Sequence, residues 1–549
     1  MYKNKDIKMG TIKFPQFKRG KEGLKVHPGL TILEFARMAG VKINAECGGI
    51  GTCGKCIVRI EEGEENLSPL TPAEKNFNLK ENERLACQAH ILRDRSDIVV
   101  YVKNFGEYEI LKYGMEREVP LCPLYYRTGN SVFRDGNKVD RYRGKVYGIA
   151  VDIGTTTIVM DLVDLENGDI LDTVAKTNPQ ISYGNDVISR IEFTLVDRKT
   201  GKYLLEIERA KRRKQLKSLV IGHLNETIRE LSAQRKEDIS QYIYQIVVVG
   251  NSTMRNIFFD IDVSSLGMMP YEPLHKEAIT ETPEALGINI NKAGMVYGCP
   301  LIGGHVGADI IADIVASEMY KDDGISLLID IGTNGEVVLG NKDRMIATSC
   351  AAGGAFEGAS VSCGIGGIEG AIKKIEIVDG RVAYSTIGDK YPIGVCGSGL
   401  IDLLAQLLEK GIMTRKARIE QDFYITGDLK LTQNDIFQLI TSKAAIRTGW
   451  QVLLKYYPVK ISDVKKVYLS GGFGNFIDVK NAMKIGLIPD VDIEKVVKIG
   501  NGSLEGAREV LLCKDTRKLS EEIARSVEHI KTNEVEKDFE YLLAENMYF

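Results

Sequence analysis

Several features that would place a protein in a specialised class are scarce or absent here. Proline accounts for 14 of 549 residues, and the 72 basic residues nearly balance the 75 acidic ones, for a net charge of −3. This balance predicts no general attraction to nucleic acid or to an anionic membrane. No run approaches the roughly 18 apolar residues that a membrane helix needs, and the N-terminus is charged where a signal peptide would turn apolar. We therefore expect a cytoplasmic protein.

The composition is otherwise that of a globular protein, with 44% apolar residues, and the length predicts three or four domains. Residues 8–103 carry the strand and helix signals of a small α+β unit, with capping boxes that begin at Thr31 and Thr71. Residues 104–145 show no sustained period and are predicted to be a linker or a small bridging module. From 146 to 549, apolar strand-like runs alternate with helical ones, which is typical of α/β layers.

Only ten cysteines occur, but four fall in one cluster with the spacing C-x5-C-x2-C-x30-C. They are Cys47, Cys53, Cys56 and Cys87. The first three lie in a glycine-rich loop, where positive φ angles and accessible backbone N–H groups suit an inorganic cluster. A plant-type ferredoxin has C-x4-C-x2-C and a remote cysteine, so this sequence differs by one residue and resembles the adrenodoxin-like variant of the 2Fe-2S fold. We expect the four thiolates to bind one 2Fe-2S cluster.

A structural zinc site is the alternative for these cysteines. Zinc modules usually carry two C-x2-C knuckles and this chain has one, which favours the cluster. A near-match to a P-loop in the same loop is rejected, because Cys56 stands where that motif needs Ser or Thr. The other cysteines have no ligand spacing, and we expect them to be buried small hydrophobes or inert thiols: Cys122, Cys299, Cys350, Cys363, Cys396 and Cys513.

Two glycine turns in the α/β part repeat one pattern, an apolar strand that ends in Asp-x-Gly-Thr and continues into a second strand. Asp152 and Asp330 are the two aspartates, and the repeat predicts duplicated lobes over 146–322 and 323–549. Such turns present N–H groups to phosphates, and the aspartates can hold Mg²⁺ or its waters. Either hairpin alone is compatible with a plain strand turn, whereas the pair favours a nucleotide clamp. The predicted phosphate-binding residues are Gly154, Thr155, Thr156, Gly332, Thr333 and Asn334.

The paired hairpins resemble those of the superfamily of actin, sugar kinases and heat-shock chaperones, whose two duplicated lobes close on ATP. With the N-terminal unit, the resemblance implies an α/β protein: a β-grasp 2Fe-2S domain, a linker and a two-lobed actin-like ATPase. It implies that 303–313 contains the first connecting helix, in which Asp309 positions the attacking water with His305 behind it, and that 499–507 begins the second. For Asp309 a helix N-cap is the alternative. The adenosine motif that the resemblance implies contains Gly471, Gly472 and Gly474.

A ferredoxin domain joined to this ATPase resembles the reductive activators of corrinoid proteins, and residues 178–191, 354–358, 395–402 and 483–489 are similar to segments of that family. The resemblance implies ATP-dependent electron transfer from the 2Fe-2S cluster to Co(II), which regenerates Co(I), with ATP and Mg²⁺ as further cofactors. The implied partners are a corrinoid protein of a methyltransferase system and an external low-potential electron donor. A homodimer is compatible with it, and we expect no nucleic-acid or membrane partner.

Three alternatives remain open at this point. One is an ATP-dependent activator of another low-potential enzyme, such as a 2-hydroxyacyl-CoA dehydratase. The second is a redox-sensing ATPase module that binds partners without electron delivery, and the third is a small-molecule kinase fused to a ferredoxin. The four-cysteine loop argues against the first, because dehydratase activators bridge two subunits with one shared cubane cluster.

Overall fold

The structure is a computed structural model of the whole chain. It describes residues 10–15, 23–39, 41, 43, 51, 56–77, 79, 81–93, 97–102, 119–184, 186–197, 200–358, 360–367, 369–427, 429–472 and 476–549. None of the helices in these ranges combines the length and the apolar character that crossing a membrane requires.

The N-terminal unit is a five-stranded sheet packed against a short helix. Its elements are β1 (Thr11–Lys13), β2 (Leu24–Lys25), α1 (Ile32–Met38), β3 (Ile57–Glu62), β4 (Glu83–Leu85) and β5 (Ile98–Val102). The strand order is β2-β1-β5-β3-β4, with Phe35 of the helix packed in the core against Val58 and Val100. The capping box at Thr31 is confirmed, because its N–H donates to Glu34 Oε2 at 2.7 Å and its hydroxyl accepts from the Glu34 N–H at 3.2 Å.

The second predicted start signal leads into a single 3₁₀ turn, Glu74–Asn76, instead of an α-helix. Its capping interactions are nevertheless present, since the Thr71 N–H donates to Glu74 Oε2 at 2.8 Å and the Glu74 N–H donates to Thr71 Oγ1 at 3.3 Å. Glu74 also forms a buried ion pair with Arg84, which ties the turn to β4. The side chain that caps the turn therefore also anchors it to the sheet.

Part of the predicted bridging segment forms a small antiparallel sheet of β6 (Tyr125–Thr128), β7 (Ser131–Arg134) and β8 (Asn137–Arg141). Tyr125 is buried and its hydroxyl donates to the Ala293 carbonyl oxygen at 2.9 Å. Val132 packs in the same core cluster as Ala150 and Val247 of the next unit. The described part of this segment thus packs against the first α/β lobe.

One expectation about the remaining cysteines is wrong. Cys122 and Cys513 are joined by a disulfide across 391 residues of sequence, although both were expected to be inert thiols. Backbone hydrogen bonds from Cys122 N–H to Leu512 O and from Lys514 N–H to Cys122 O hold the two segments side by side. Because this pairing depends on a long-range contact, the spacing of the cysteines contains no signal for it. Cys299, Cys350, Cys363 and Cys396 are buried, as expected.

The first α/β lobe consists of β9 (Tyr147–Ile153), β10 (Thr157–Asp164), β11 (Ile170–Thr177), α2 (Val187–Leu195), α3 (Glu206–Arg235), β12 (Ile243–Val249), α4 (Ser252–Phe258), β13 (Ile279–Glu281), α5 (Pro283–Leu286), β14 (Met295–Gly298) and α6 (Ala308–Ser317). Its sheet has the order β11-β10-β9-β12-β14-β13.

The second lobe begins with β15 (Ser326–Ile331), β16 (Gly335–Gly340), β17 (Met345–Cys350), β18 (Ala371–Val378), β19 (Arg381–Thr386), β20 (Gly394–Val395), α7 (Gly397–Glu409), β21 (Phe423–Thr426), β22 (Leu429–Leu431) and α8 (Gln433–Tyr456). It continues with β23 (Lys466–Ser470), α9 (Val479–Lys484), β24 (Val496–Gly500), α10 (Gly502–Leu512), α11 (Lys514–Ser526), β25 (Glu528–His529), α12 (Thr532–Val535) and α13 (Phe539–Asn546).

Five strands of each main sheet have the same topology. The sixth strands differ, because β13 pairs antiparallel with β14, whereas β25 pairs in parallel with β17. In the first lobe, β9, β10 and β11 form an antiparallel meander, and β12 and β14 add in parallel beside β9. In the second lobe, β15, β16 and β17 form the meander, and β23 and β24 add in parallel beside β15. The predicted duplication is therefore confirmed, and each Asp-x-Gly-Thr turn joins the first two strands of its sheet.

The connecting helices α6 and α10 pack against each other. A Cβ atom added at Gly506 of α10 would lie 2.0 Å from the carbonyl oxygen of Ala312 of α6, so this approach requires glycine. Apolar side chains of both helices, including Ala308 and Ala507, contribute to one buried cluster. The helices thereby hold the two sheets so that their hairpins meet.

Candidate functional site

Two of the four predicted cluster ligands lie in the described part of the chain, and the sheet brings them together. Cys56 immediately precedes β3, and one residue separates the end of β4 from Cys87. Because β3 and β4 are antiparallel with Ile57 opposite Leu85, the two cysteines meet at the same end of the pair. Their Sγ atoms are 3.3 Å apart and both side chains are buried.

This separation suits two thiolates on one metal ion. Bonds of about 2.3 Å from sulfur to a tetrahedral metal place two sulfurs a little under 4 Å apart. The Gln88 amide donates to Cys87 Sγ at 3.7 Å, which is the kind of contact that stabilises a thiolate. Gly51 of the loop has φ +86° and lies where a Cβ would meet Gln88, so the chain there requires glycine. Cys47 and Cys53 lie outside the described residues.

The turns of the two Asp-x-Gly-Thr hairpins face each other. We name β9, turn 154–156 and β10 hairpin one, and β15, turn 332–334 and β16 hairpin two. Thr156 Oγ1 of hairpin one is 3.2 Å from Thr333 Oγ1 of hairpin two. Glu357 joins them, because its Oε2 accepts from Thr156 Oγ1 at 3.0 Å and from Thr333 Oγ1. The structure thus brings together hydroxyl groups that the sequence predicted to bind phosphate.

Buried polar side chains from three other segments support the turn of hairpin one. Asn178 Nδ2 donates to the Gly154 carbonyl at 2.8 Å, and Arg190 Nη2 donates to the Thr155 carbonyl at 2.5 Å. Asn251, the N-cap of α4, donates to Thr155 Oγ1 at 3.0 Å. The shape of this turn therefore depends on the side chains of Asn178, Arg190 and Asn251.

Six carboxyl groups gather beneath the two turns: Asp152, Asp309, Asp313, Asp330, Glu336 and Glu357. Asp313, Asp330 and Glu336 are buried, while the other three keep some exposure. In the part of the chain that the structure describes, no basic side chain forms an ion pair with any of the six. Asp313 Oδ2 is buried without a hydrogen-bond partner.

Burial and the neighbouring acids raise the pKa values of these carboxyl groups. Loss of hydration, with the charge of Asp309 next, raises the pKa of Asp152 to about 7. Loss of hydration also raises the pKa of Asp309 to about 6. The pKa of Asp330 lies well above its usual value for the same reason, increased further by the charges of Asp309 and Asp152. Clustered carboxylates without a cation suit a divalent metal ion, which would compensate their charge.

Asp309 is in the first turn of α6, and it is not the N-cap of that helix. The N-cap is Gly307, and the Asp309 carboxylate accepts from the adjacent Ile310 N–H at 2.9 Å. Asp309 is therefore not the N-cap residue of α6. Its negative charge raises the pKa of Asp152 and of Asp330. The His305 ring lies 6.4 Å from the ring of Tyr271, and burial lowers its pKa, which indicates a structural position.

The predicted adenosine motif follows β23. Gly471 has φ +122°, and an added Cβ would lie 2.5 Å from the Ile331 carbonyl, so only glycine allows this strand to end beside hairpin two. Its N–H donates to the Gly500 carbonyl at 2.9 Å. Gly472 is exposed, and Gly474 lies outside the described residues.

Several site residues were missed by reasoning from the sequence. Asp313 lies one helical turn after Asp309, and Glu336 is an acid within a fully buried strand, so both patterns contained a usable signal. Glu357 lies in a loop without periodicity, and nothing local indicates that it contacts both hairpins. Asn501 Nδ2 is 3.5 Å from Asp152 Oδ2. Because Asn501 is also the N-cap of α10, its residue type has an explanation that does not indicate its proximity to the cleft.

The fold and the geometry together define the class of protein: a ferredoxin-type domain joined to a two-lobed ATPase of the actin and sugar-kinase type. Three family models match the chain in this order. The 2Fe-2S iron-sulfur cluster binding domain matches residues 17–92, the RACo middle region matches 147–322, and the C-terminal ASKHA domain of RACo matches 324–549.

Relatives that match along most of this chain indicate a more specific class. The corrinoid activation enzyme RamQ of Eubacterium limosum is 30% identical over 93% of this chain and 95% of its own length. A [Co(II) methylated amine-specific corrinoid protein] reductase of Methanosarcina barkeri is 27% identical over 70% of this chain and 73% of its own. The solved structure of a reductive activator for corrinoid, iron-sulfur protein is similar with a TM-score of 0.72 at 28% identity over 98% of both chains. This chain belongs to the RACo family of corrinoid activators.

Proposed function

We propose that the protein uses ATP to activate a corrinoid protein reductively, by passing one electron from a 2Fe-2S cluster to Co(II) and regenerating Co(I). One observation carries the proposal: a buried thiol pair in a ferredoxin sheet and an acid-lined cleft between paired hairpins occur on one chain. That chain matches the solved reductive activator over 98% of its length. The match extends across both halves and therefore favours this function over a kinase with an added ferredoxin.

The cluster would be held by Cys47, Cys53, Cys56 and Cys87. When bound, such a cluster supplies a one-electron carrier with a potential near −400 mV for the plant type. Cys56 and Cys87 would bind one iron ion, since their sulfurs already lie together at the end of β3 and β4. Burial of both thiols and the Gln88 amide would tune the potential by limiting water access and by hydrogen bonding.

The cleft residues would divide the work of ATP hydrolysis. Asp152 and Asp330 would hold Mg²⁺ or its waters, and the turns 154–156 and 332–334 would bind phosphate oxygens through N–H and hydroxyl groups. Asp309, whose raised pKa suits proton transfer near neutral pH, positions and deprotonates the attacking water. Gly471, Gly472 and Gly474 leave room for the adenosine.

Glu357 links the two hairpins through Thr156 and Thr333. The γ-phosphate of ATP would compete for the same two hydroxyl groups. Binding of the nucleotide would therefore release Glu357, so the cleft has a side chain that exchanges contacts when ATP enters.

ATP is needed because one-electron transfer loses a factor of ten in its equilibrium constant for about every 59 mV of unfavourable potential. A cobalt couple below that of the cluster makes unassisted transfer unfavourable. Closure of the two lobes on ATP offers a two-state conformational change that can bias this equilibrium, and hydrolysis gives the cycle a direction.

We further propose that a low-potential donor outside this chain reduces the cluster, and that the protein works in the cytoplasm with the corrinoid protein of a methyltransferase system. Association into a homodimer would be compatible with this role. The absence of a general charge excess means that the corrinoid protein would be recognised through a local surface.

The experiment is the absorbance change of a Co(II) corrinoid protein from the same organism, with the Co(I) product trapped by methylation. Full-length protein, a reductant and ATP should produce the change, and ATP omission or a non-hydrolysable analogue should prevent it. Cys56→Ser should lose electron transfer, whereas Cys363→Ser, a buried cysteine outside the cluster set, should retain it. If corrinoid proteins fail to respond while another low-potential acceptor is reduced, the dehydratase-type alternative replaces this function.

A further inference from the structure

A second cavity lies in lobe two and is separate from the nucleotide cleft. Its volume is about 700 Å³, within the range of small-molecule sites. Its walls include the ends of α7 and α9 and one side of α8. β23 ends beside the cleft at Ser470, and the parallel strand β24 starts at the opposite end of the strands. The connection through α9 and residues 485–495 therefore leads away from the cleft. The cavity on this connection is therefore not part of the site above.

An unpaired cation lines this cavity. Arg447 of α8 is half-buried, and its Nε is buried without a hydrogen-bond partner. It forms no ion pair with any described residue, and burial lowers the pKa of its guanidinium. Its Nη1 lies against Gly486, where an added Cβ would be 2.4 Å away. Leaving a guanidinium desolvated and unpaired is unfavourable, so a ligand with negative charge would stabilise it.

A second buried cation adds to the positive potential one turn earlier on the same helix. Lys443 is fully buried and donates to the carbonyl oxygens of Asn546 at 2.5 Å and Tyr548 at 2.8 Å. Its Nζ lies 4.6 Å from the ring centre of Phe549, and it also lacks an ion pair in the described chain. Burial, with the charge of Arg447, lowers the pKa of Lys443 to about 7. A second basic side chain without an ion pair to a described residue therefore lies behind Arg447.

The other charged side chains of the lining indicate how much negative charge a bound ligand could carry. Lys484 is paired with Glu409, and Asp490 and Arg415 are exposed. Glu409 and Asp490 would oppose a dianion such as a phosphate monoester. Apolar surface comes from Met413, Trp450, Met483, Ile488 and Pro489. The lining thus combines the half-buried guanidinium of Arg447 with apolar walls, whereas its other charged side chains are exposed.

We propose that this cavity binds a small organic monocarboxylate with an apolar body. The carboxylate would bind the planar guanidinium of Arg447, whose fork geometry matches two carboxylate oxygens, and the body would pack against Trp450 and Met483. This inference rests on lobe two alone and does not depend on the function proposed above.

The chain supplies its own reporter, because Trp450 is its single tryptophan. Its indole N–H donates to the Leu487 carbonyl at 3.3 Å, so it is fixed beside the cavity. Full-length protein would be titrated with benzoate, phenylacetate and hexanoate while tryptophan emission is followed. Benzamide, phenylacetamide and hexanamide serve as uncharged matched probes, and inorganic phosphate as the dianionic probe. We expect at least one carboxylate to saturate with a Kd of about 1 mM or lower, and its amide to bind at least about tenfold more weakly.

Arg447→Gln should weaken the carboxylate at least about tenfold. Arg418→Gln removes an exposed positive charge nearby that does not line the cavity, and it should bind as the wild type does. If Arg447→Gln does not fold, the comparison of acid and amide on wild-type protein decides the question. The proposal is overturned if no carboxylate saturates below about 10 mM, if amide and acid bind equally, if phosphate binds more tightly, or if folded Arg447→Gln binds unchanged.

Discussion

Hairpin one and hairpin two occupy equivalent strands of duplicated sheets but have different surroundings. The turn of hairpin one is held by amide and guanidinium donors, among them Asn178 and Arg190. At the turn of hairpin two, the Thr333 hydroxyl instead contacts the Glu357 carboxylate and the Thr156 hydroxyl. Glu336 lies buried in the strand that follows this turn. The duplication therefore preserved the backbone, while the neighbours of the two turns diverged.

The difference has an energetic meaning. Donors that hydrogen-bond turn carbonyls stabilise the protein whether or not a ligand is bound. Buried carboxylates that repel one another destabilise the free protein and become favourable only when a cation arrives. We infer that the donors around hairpin one preform a phosphate cradle, and that buried acids of both lobes create the demand for Mg²⁺.

The largest effect is expected for Asp330→Asn and Asp152→Asn, which should abolish ATP hydrolysis, with a loss of at least about 10³-fold, because the metal-phosphate contacts stabilise charge in the transition state. The cluster spectrum should be unchanged, since the cluster lies in another unit. A phosphate-release assay and the visible spectrum measure both. Asp379→Asn, an exposed aspartate in a β-turn, is the matched control. Normal hydrolysis by both variants would show that the two-hairpin clamp is wrong.

Next in size is the loss of the buried donor behind hairpin one. Arg190→Met leaves the carbonyl of Thr155 and Oε1 of Gln180 without a partner. We expect the free energy of unfolding to fall by about 3 kcal/mol, measured by urea denaturation. Arg229→Met, at an exposed position of α3, should change it by less than about 0.5 kcal/mol. A similar small change in Arg190→Met would mean that the cradle does not depend on this donor.

A smaller effect on catalysis is expected for Asp309→Asn. If Asp309 acts on the attacking water, kcat should fall about 10- to 100-fold while the Kd for ATP changes by less than about threefold. Single-turnover hydrolysis and nucleotide titration separate the two quantities. Weaker ATP binding with an unchanged kcat would instead assign Asp309 to the metal site.

The smallest predicted effect has the opposite sign from that of Arg190→Met. Burial of Glu336, and then the charges of Asp309 and Asp330, raise its pKa well above the usual value, so its ionised form is penalised at pH 8. Glu336→Gln should therefore stabilise the Mg²⁺-free protein by about 1 kcal/mol and weaken Mg²⁺-ATP binding. Glu420→Gln, at an exposed position, should do neither. Destabilisation of the metal-free protein would show that the acids of lobe two are already compensated.

Much of the architecture was predictable because its signals are local. The sequence pattern predicts the repeated Asp-x-Gly-Thr turns, since strand, glycine and hydroxyl stand side by side in the chain and can fold into a hairpin without long-range contacts. It also indicated the capping boxes and the cysteine spacing, of which Cys56 and Cys87 meet as the cluster interpretation requires. The role of all four cysteines remains a prediction.

The residues that surround those turns are brought there by long-range packing. Glu357 reaches hairpin one across about 200 residues of chain, the Cys122–Cys513 disulfide joins segments 391 residues apart, and Asp309 proved not to be a cap because α6 begins at Ala308. Such contacts follow from how helices and sheets pack, and packing brings together residues whose spacing in the chain has no period. The pattern of a sequence therefore specifies a hairpin, whereas the side chains that hold its turn or lie against its acids are specified by the packing of the lobes.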